Sequence, residues 1–284
     1  MFRNRFAPGG EPLRNRGRIY FLSWKKVPTE DERLGHRREF LPRRERRGGN
    51  SFNWGLDVTT QRKSRKSPSS RRSNAERREE SMTIILDHAE AEFASKGYDG
   101  TTFVSVAEAA GVDAALMRYY FGDKEQLFAA VFRRRGPVVN ALRVQALDAY
   151  RAATGGQGTL EGLLEAFTRP GFEFGMLSEG HRNYAAIVAF VNSSRGTMHA
   201  LMSEVFDEVS RVLIDDMQRL MPEVPRETLY WGYHFLTGAF TFSLGQTGRI
   251  DRISGGSVSS EDFAGIADRL PAFVAAGIRS LAAR

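Results

Sequence analysis

The stretch Thr101–Phe128, TTFVSVAEAAGVDAALMRYYFGDKEQLF, decides the fold. Phe103, Val106, Ala107 and Ala110 recur at helical spacing and form one apolar face. Thr102 suits the N-cap of that helix, because its hydroxyl can accept from an amide one turn on. Gly111 stands where the helix must end, and only glycine enters the left-handed region without a Cβ penalty. Asp113 is a good N-cap for a second helix over about 114–120, which is too short to be stable alone. Leu116, Met117 and Phe121 can pack it onto its neighbours. Gly122 ends it, and Asp123 with Gln126 makes a capping-box-like start for a third helix. Two short helices about a glycine turn, then a fresh cap, is helix-turn-helix grammar. Such a unit lays its second helix in a DNA major groove.

Working outward, a preceding helix is expected from about Ala75 to Lys96, with Ile85, Ala89 and Phe93 on one face and Gly97 at its end. Arg77 and Arg78 near its start either meet phosphate or are solvated. The helix after the motif runs over about 123–135, with Leu127, Phe128, Val131 and Phe132 facing inward. Arg133, Arg134 and Arg135 read as its solvated end. Beyond Pro137 the pattern is helical throughout, at about 137–152, 159–168, 181–194, 197–221, 226–247 and 259–283. Breaks are expected at Pro170-Gly171, Pro222–Pro225 and Gly255-Gly256. No strand alternation is long enough to build a sheet. The fold class is therefore all-α: an N-terminal helix-turn-helix domain over 76–135, then a helical ligand-binding and dimerisation bundle over 136–284.

The run from Ile85 to Phe128 resembles the TetR family of bacterial transcriptional regulators. The residues that carry the likeness are Ile85 to Ala89, Phe93, Lys96-Gly97-Tyr98, Thr101-Thr102, Val106-Ala107, Ala110-Gly111-Val112, Tyr119-Tyr120-Phe121 and Asp123-Lys124-Glu125. Ala115 stands where the family often has Gly, Arg118 where it often has Tyr, and Glu92 where it usually has Leu. Carried over by position, the resemblance implies DNA contacts from Thr101, Thr102, Asp113, Ala114, Arg118, Tyr119, Tyr120 and Lys124. Arg118 suits a bidentate contact to guanine, or a phosphate contact or salt bridge. Tyr119 and Tyr120 suit phosphate, one of them alternatively the core. Lys124, at a helix start, suits phosphate best.

The net charge of +7 divides unevenly. Residues 1–80 hold 22 Lys and Arg against 10 Asp and Glu, a balance of +12, whereas 81–284 hold 19 against 24, a balance of −5. The basic character thus belongs to the leading segment. Residues 1–75 show no sustained period and read as a disordered basic extension. They form either an arm adding phosphate contacts, above all Arg62 to Arg72, or a solvated tail. For residues 1–57 a further alternative is an over-long reading frame, with a start near Val58 or Met82. Zero cysteines exclude disulfides, thiolate zinc sites and a cysteine nucleophile. No apolar run approaches the roughly 20 residues that span a bilayer, and no signal-peptide core is visible, so the cytoplasm is the expected compartment.

Catalytic constellations are missing from the sequence. The five histidines, His36, His88, His181, His199 and His234, lack metal-ligand spacing, so neither a metal nor a cofactor is expected. Gly155 to Gly158 lacks the strand context of a dinucleotide loop and reads as a linker. The second half is instead rich in aromatics and methionine. Phe167, Phe174, Met176, Phe190, Met202, Phe206 and Tyr230 either line an apolar effector pocket or form ordinary core. Tyr233 and His234 are the polar groups suited to hold a ligand headgroup. Residues 181–280, notably Leu229 to Ser243, Val205-Phe206 and Pro271 to Gly277, also resemble PsrA-type regulators, which implies an acyl-chain-like effector. The helices near 226–247 and 259–283 are the expected homodimer surface. There Gly238, Ala239 and Gly245 allow close approach, and Phe240, Leu244, Phe263, Leu270, Phe273 and Ile278 supply apolar area.

The reading these features favour is a ligand-responsive repressor, not an enzyme. It binds a palindromic double-stranded operator as a dimer and is released by a small apolar effector, with no membrane partner. The alternatives are an effector-independent DNA-binding or partner-binding protein and an all-helical enzyme.

Overall fold

Residues 73–283 are described by a computed structural model, and the basic extension with its Arg62–Arg72 arm lies outside the described residues. The first helix takes in the last of the segment read as disordered. α1 (Asn74–Gly100) opens with a reciprocal cap in which Ser73 accepts from the Glu76 amide and Glu76 accepts from that of Ser73. Its regular turns stop at Gly97, whose φ of 70° only glycine adopts freely. Glu92, at the family's usual Leu position, is half-buried and reaches Lys96 at 2.6 Å.

α2 (Phe103–Ala110) and α3 (Ala114–Phe121) complete the small module. Gly111 makes the turn at φ 64°, and the Val112 amide donates to the Ala107 carbonyl at 3.0 Å. Asp113 caps α3, accepting from the Ala115 amide at 2.6 Å. Phe93, Tyr98 and Phe128 pack ring against ring beneath them, with Ile85, Val106, Met117 and Leu127 fully buried. This shared core makes two eight-residue helices stable together when neither is alone.

α4 (Lys124–Thr154) overturns an expected break. It is one 31-residue helix through Gly136-Pro137, so the domain boundary expected at 135/136 falls inside an unbroken rod. A side chain at Gly136 would collide with Val205 and Tyr184, so this turn lies against its neighbours. Buried Tyr184 donates its hydroxyl to the Phe132 carbonyl at 3.1 Å on the same stretch. Packing here outweighs the cost of an interior proline.

The body is built on α5 (Leu160–Gly175), α6 (Glu179–Asn192), α7 (Thr197–Leu220), α8 (Arg226–Leu244), the short α9 (Arg249–Ile253) and α10 (Phe263–Ala282). Pro170-Gly171 is also no break, since α5 continues to Gly175 with both residues buried. Gly171 is required by proximity: a Cβ there would sit 2.6 Å from the Phe240 ring. α9 was not expected from the sequence. It occupies the span where a single break was read at Gly255-Gly256, which does separate it from α10. α5 packs between α4 and α10, α8 lies along α10, and α6 lies along α1. Gly232 lets α8 meet α10, where a Cβ would reach within 2.7 Å of Ile278. Tyr150 pins the glycine linker by accepting from the Thr159 amide at 2.6 Å and donating to its carbonyl at 2.9 Å.

No helix among the described residues is long and apolar enough to cross a membrane.

Candidate nucleic-acid interface and effector body

α3 presents its outer face to solvent. Tyr119 is 77% exposed, and Thr102, Asp113, Ala115 and Arg118 are also exposed. The Arg118 guanidinium rests 5.8 Å from the Phe103 ring and makes no ion pair among the described residues, so its fork is unoccupied. Tyr120 is half-buried, its ring tilted 56° against that of Tyr119 at 5.5 Å and faced at 5.6 Å by Arg78 from α1. Of the two tyrosines, Tyr119 is therefore the free one. Ala114 is half-buried at the start of α3. Thr102 caps α2 reciprocally with Ser105.

Two expected DNA contacts take on another duty. Thr101 is 0% exposed, and its hydroxyl donates to the carbonyls of Glu92 and Gly97 at 3.0 and 2.8 Å. Its side chain secures the end of α1 and is closed to DNA. Lys124 is half-buried, donates to the Thr101 carbonyl at 2.9 Å and lies 4.3 Å from the Tyr98 ring. The same cation that suits a helix N-terminus thus braces the end of α1 against the start of α4.

Arg133, Arg134 and Arg135 are not a solvated helix end. Each reaches a different acid: Glu204 on α7 at 2.7 Å, Asp87 on α1 at 2.6 Å and Glu90 on α1 at 2.7 Å. The last pair is withdrawn from water, with Glu90 1% exposed. Burial raises the Glu90 carboxyl's pKa, against the opposing pull of Arg135. Arg135 also donates to His181 Nε2 at 3.1 Å. A guanidinium cannot accept, so His181 carries its proton on Nδ1 and donates to Ser178 Oγ at 2.7 Å. Burial first, then Arg135 and Arg134, lowers the His181 pKa to about 4. An open cleft of about 720 Å³ separates α3 from α7 beside the Arg133–Glu204 bridge.

The effector candidates divide. Phe167, Phe206 and Tyr233 converge on Arg143 of α4. Its guanidinium lies 4.7 Å from the Phe167 ring, 5.5 Å from Phe206 and 5.2 Å from Phe240. Tyr233 donates to Ser210 Oγ at 2.7 Å nearby. Phe174 is buried beside His181 and Tyr184, and Met202 is half-buried on α7. Met176, Phe190, Tyr230 and His234 are exposed and do not line the bundle interior, which corrects their expected role. Met176 and Phe190 lie near the ends of α5 and α6, and Tyr230 accepts from Arg226 at 3.0 Å. His234 sits between Trp231 and Phe235 on the outer face of α8. Sequence reasoning missed Arg143 itself. Its one signal was a cation on an otherwise inward-facing stripe of α4, shared with Val139, Leu147 and Tyr150.

The expected dimer surface also divides. Phe240, Leu244, Phe263, Leu270 and Ile278 belong to the monomer's own core, and Gly245 is half-buried. What α8 and α10 offer outward is Trp231, Phe235, Phe242 and Phe273, the last 73% exposed. Gly238 and Gly277 have open space where a Cβ would stand, and a groove of about 440 Å³ runs along Phe235, Phe273 and Gly277.

Residues 85–131 match the family model described as bacterial regulatory proteins, tetR family. Residues 165–277 match the model described as the tetracyclin repressor-like C-terminal domain. No curated protein sequence matches the chain. Among solved structures, a candidate transcriptional regulator from Pseudomonas aeruginosa PAO1 is similar at 16% identity and a TM-score of 0.50, covering 72% of this chain and 94% of its own. The ketosteroid transcriptional regulator KstR2 of Mycobacterium tuberculosis is similar at 17% identity and 0.49, covering 72% and 96%. The transcriptional regulator FadR from Bacillus subtilis, solved in complex with stearoyl-CoA, is similar at 13% and 0.48, covering 69% and 98%.

Proposed function

The chain belongs to the TetR family of bacterial regulatory proteins, and on that premise we propose that it is a repressor that binds a palindromic operator as a homodimer and is released by a small apolar effector. The observation that carries the DNA half is the bare outer face of α3, where Arg118 and Tyr119 stand exposed and Arg118 has no ion pair among the described residues. Arg118 reads a base edge and Tyr119 holds a phosphate, with Thr102, Asp113 and Ala115 along the same surface. Ala114 and Tyr120 back them from half-buried positions. A two-fold pair sets two such helices about 34–36 Å apart, one DNA turn. The outward aromatics of α8 and α10 with the open Gly238 and Gly277 are the surface for that pairing.

The effector acts only through a difference in affinity for the two spacings of the paired modules. α4 is suited to carry that difference, because one unbroken helix begins in the module and ends in the body. The domains function as a reader over 76–135 and a sensing, pairing body over 136–284 that share this rod.

Footprinting on the gene's own upstream DNA tests the reading. A protected inverted repeat is expected, and uniform affinity for all sequences sinks it. Arg118→Ala is expected to weaken operator binding about tenfold or more with an unchanged melting temperature, one lost bidentate base contact being worth about 1–3 kcal/mol. Phe273→Glu is expected to yield a folded monomer in sedimentation and to weaken operator binding with it.

A further inference from the structure

Arg143 sits midway along α4, 5% exposed, in the interior shared by α4, α5, α7 and α8. Among the described residues it makes no hydrogen bond and no ion pair, and its Nε is buried with no partner. Burial lowers its pKa only to about 10, so it is a cation at neutral pH. Three phenyl faces surround it and offset part of the lost hydration. Rings do not accept in the plane of the guanidinium, where its five N–H groups point. The other arginines drawn toward the interior each have a carboxylate: Arg135 has Glu90, Arg151 has Asp216 and Arg169 has Glu165 and Asp268.

An uncompensated buried cation is costly, and an apolar side chain of similar volume would serve a purely structural core as well or better. The neighbouring helix lies close against the guanidinium. Gly171 of α5 faces it, and a Cβ there would lie 3.2 Å from Arg143 Nη2. Tyr233, anchored to Ser210, provides a hydroxyl nearby.

We propose that Arg143 is the anchor for the anionic headgroup of an amphipathic effector whose apolar part lies against Phe167, Phe206 and Phe240. The assignment rests on the effector reading above and narrows it from an apolar molecule to one ending in a carboxylate or phosphate. A planar fork of N–H donors matches either group bidentately, and in a dry site such a pair is strong. His234, exposed on α8, has no part in it.

The test uses the full chain and three probes of equal chain length below their micellar concentrations: dodecanoate, dodecyl phosphate and dodecanol. Melting temperature and calorimetric affinity are read for each. At least one anion is expected to bind about tenfold or more tighter than the alcohol, the scale of one charge-assisted contact. Comparing the two anions then separates carboxylate from phosphate. Arg143→Met is expected to erase the preference for the anion without lowering the unliganded melting temperature. Arg143→Lys, which keeps the charge and loses the fork, is expected to retain part of it. Equal binding of dodecanol and both anions overturns the anionic headgroup and leaves the apolar effector standing. A methionine variant that keeps the preference overturns Arg143 as its anchor. Binding of none of the three overturns both the headgroup and the effector reading. The wild-type comparison holds even if a variant fails to fold.

Discussion

Helix α4 draws two arginines out of solvent about two turns apart and gives them opposite surroundings. Arg135, at the junction of module and body, meets a buried carboxylate and a histidine nitrogen. Arg143, inside the body, meets three rings and no carboxylate among the described residues. A paired buried charge is a rigid link whose removal strands its partner. An unpaired one contributes little to the fold and stands ready for something that brings the missing charge. The junction is thus made to hold one geometry, and the interior is left to respond.

The largest expected effect comes from breaking the first site. Arg135→Ala is expected to cost about 3–5 kcal/mol in denaturant unfolding, because Glu90 is left buried without its cation. A loss under about 1 kcal/mol would erase the contrast between the two arginines.

The histidine beside Arg135 sharpens the comparison through pH. His181 has a folded pKa of about 4 against an ordinary 6.5. Between those values the unfolded chain binds the proton and the folded one refuses it, so this contribution to stability is complete above about 6.5. It is lost progressively as pH falls toward 4. Glu90, whose pKa is raised, acts in the opposite sense: its ionisation penalises the fold as pH rises through the raised value. Melting temperature followed from pH 7 to 4 in wild type and His181→Asn separates the two, and the variant is expected to show the shallower fall.

Between the arginines lies Gly136, where a Cβ would collide with Val205. Gly136→Ala is expected to cost about 1–3 kcal/mol by overpacking, read by the same unfolding curves. The smallest effect is expected at the second arginine. Arg143→Met is expected to change unliganded stability by less than about 1 kcal/mol, or to raise it. A loss as large as that of Arg135→Ala would show the phenyl cage to be a structural pair in disguise.

Much of the reader was legible in the chain because its signals are local. Thr102, Gly111, Asp113 and Gly122 each sit where backbone geometry demands their type, and α2 and α3 run within one residue of the span these residues imply. Thr101 misled, and Lys124 gained a second duty, for a related reason. A threonine beside a helix start and a lysine at the next one are sound phosphate ligands locally, yet they bond to each other across 23 residues. The proline and glycine breaks at 136–137 and 170–171 failed because they were judged by backbone propensity. Both positions are in fact small to admit Val205 and Phe240 from distant helices.

The sequence alone determined the all-helical class, the place of the helix-turn-helix and its caps, since each depends on residues within a turn or two. Only the tertiary structure decided which aromatics of the second half turn inward and which stay on α8 and α10. It alone decided that three consecutive arginines divide among three acids, and that the buried Arg143 has no acid among the described residues. The physical reason is range. Periodicity and capping are set by neighbours along the chain, whereas whether a buried charge has a counter-ion depends on helices that the chain order does not bring together.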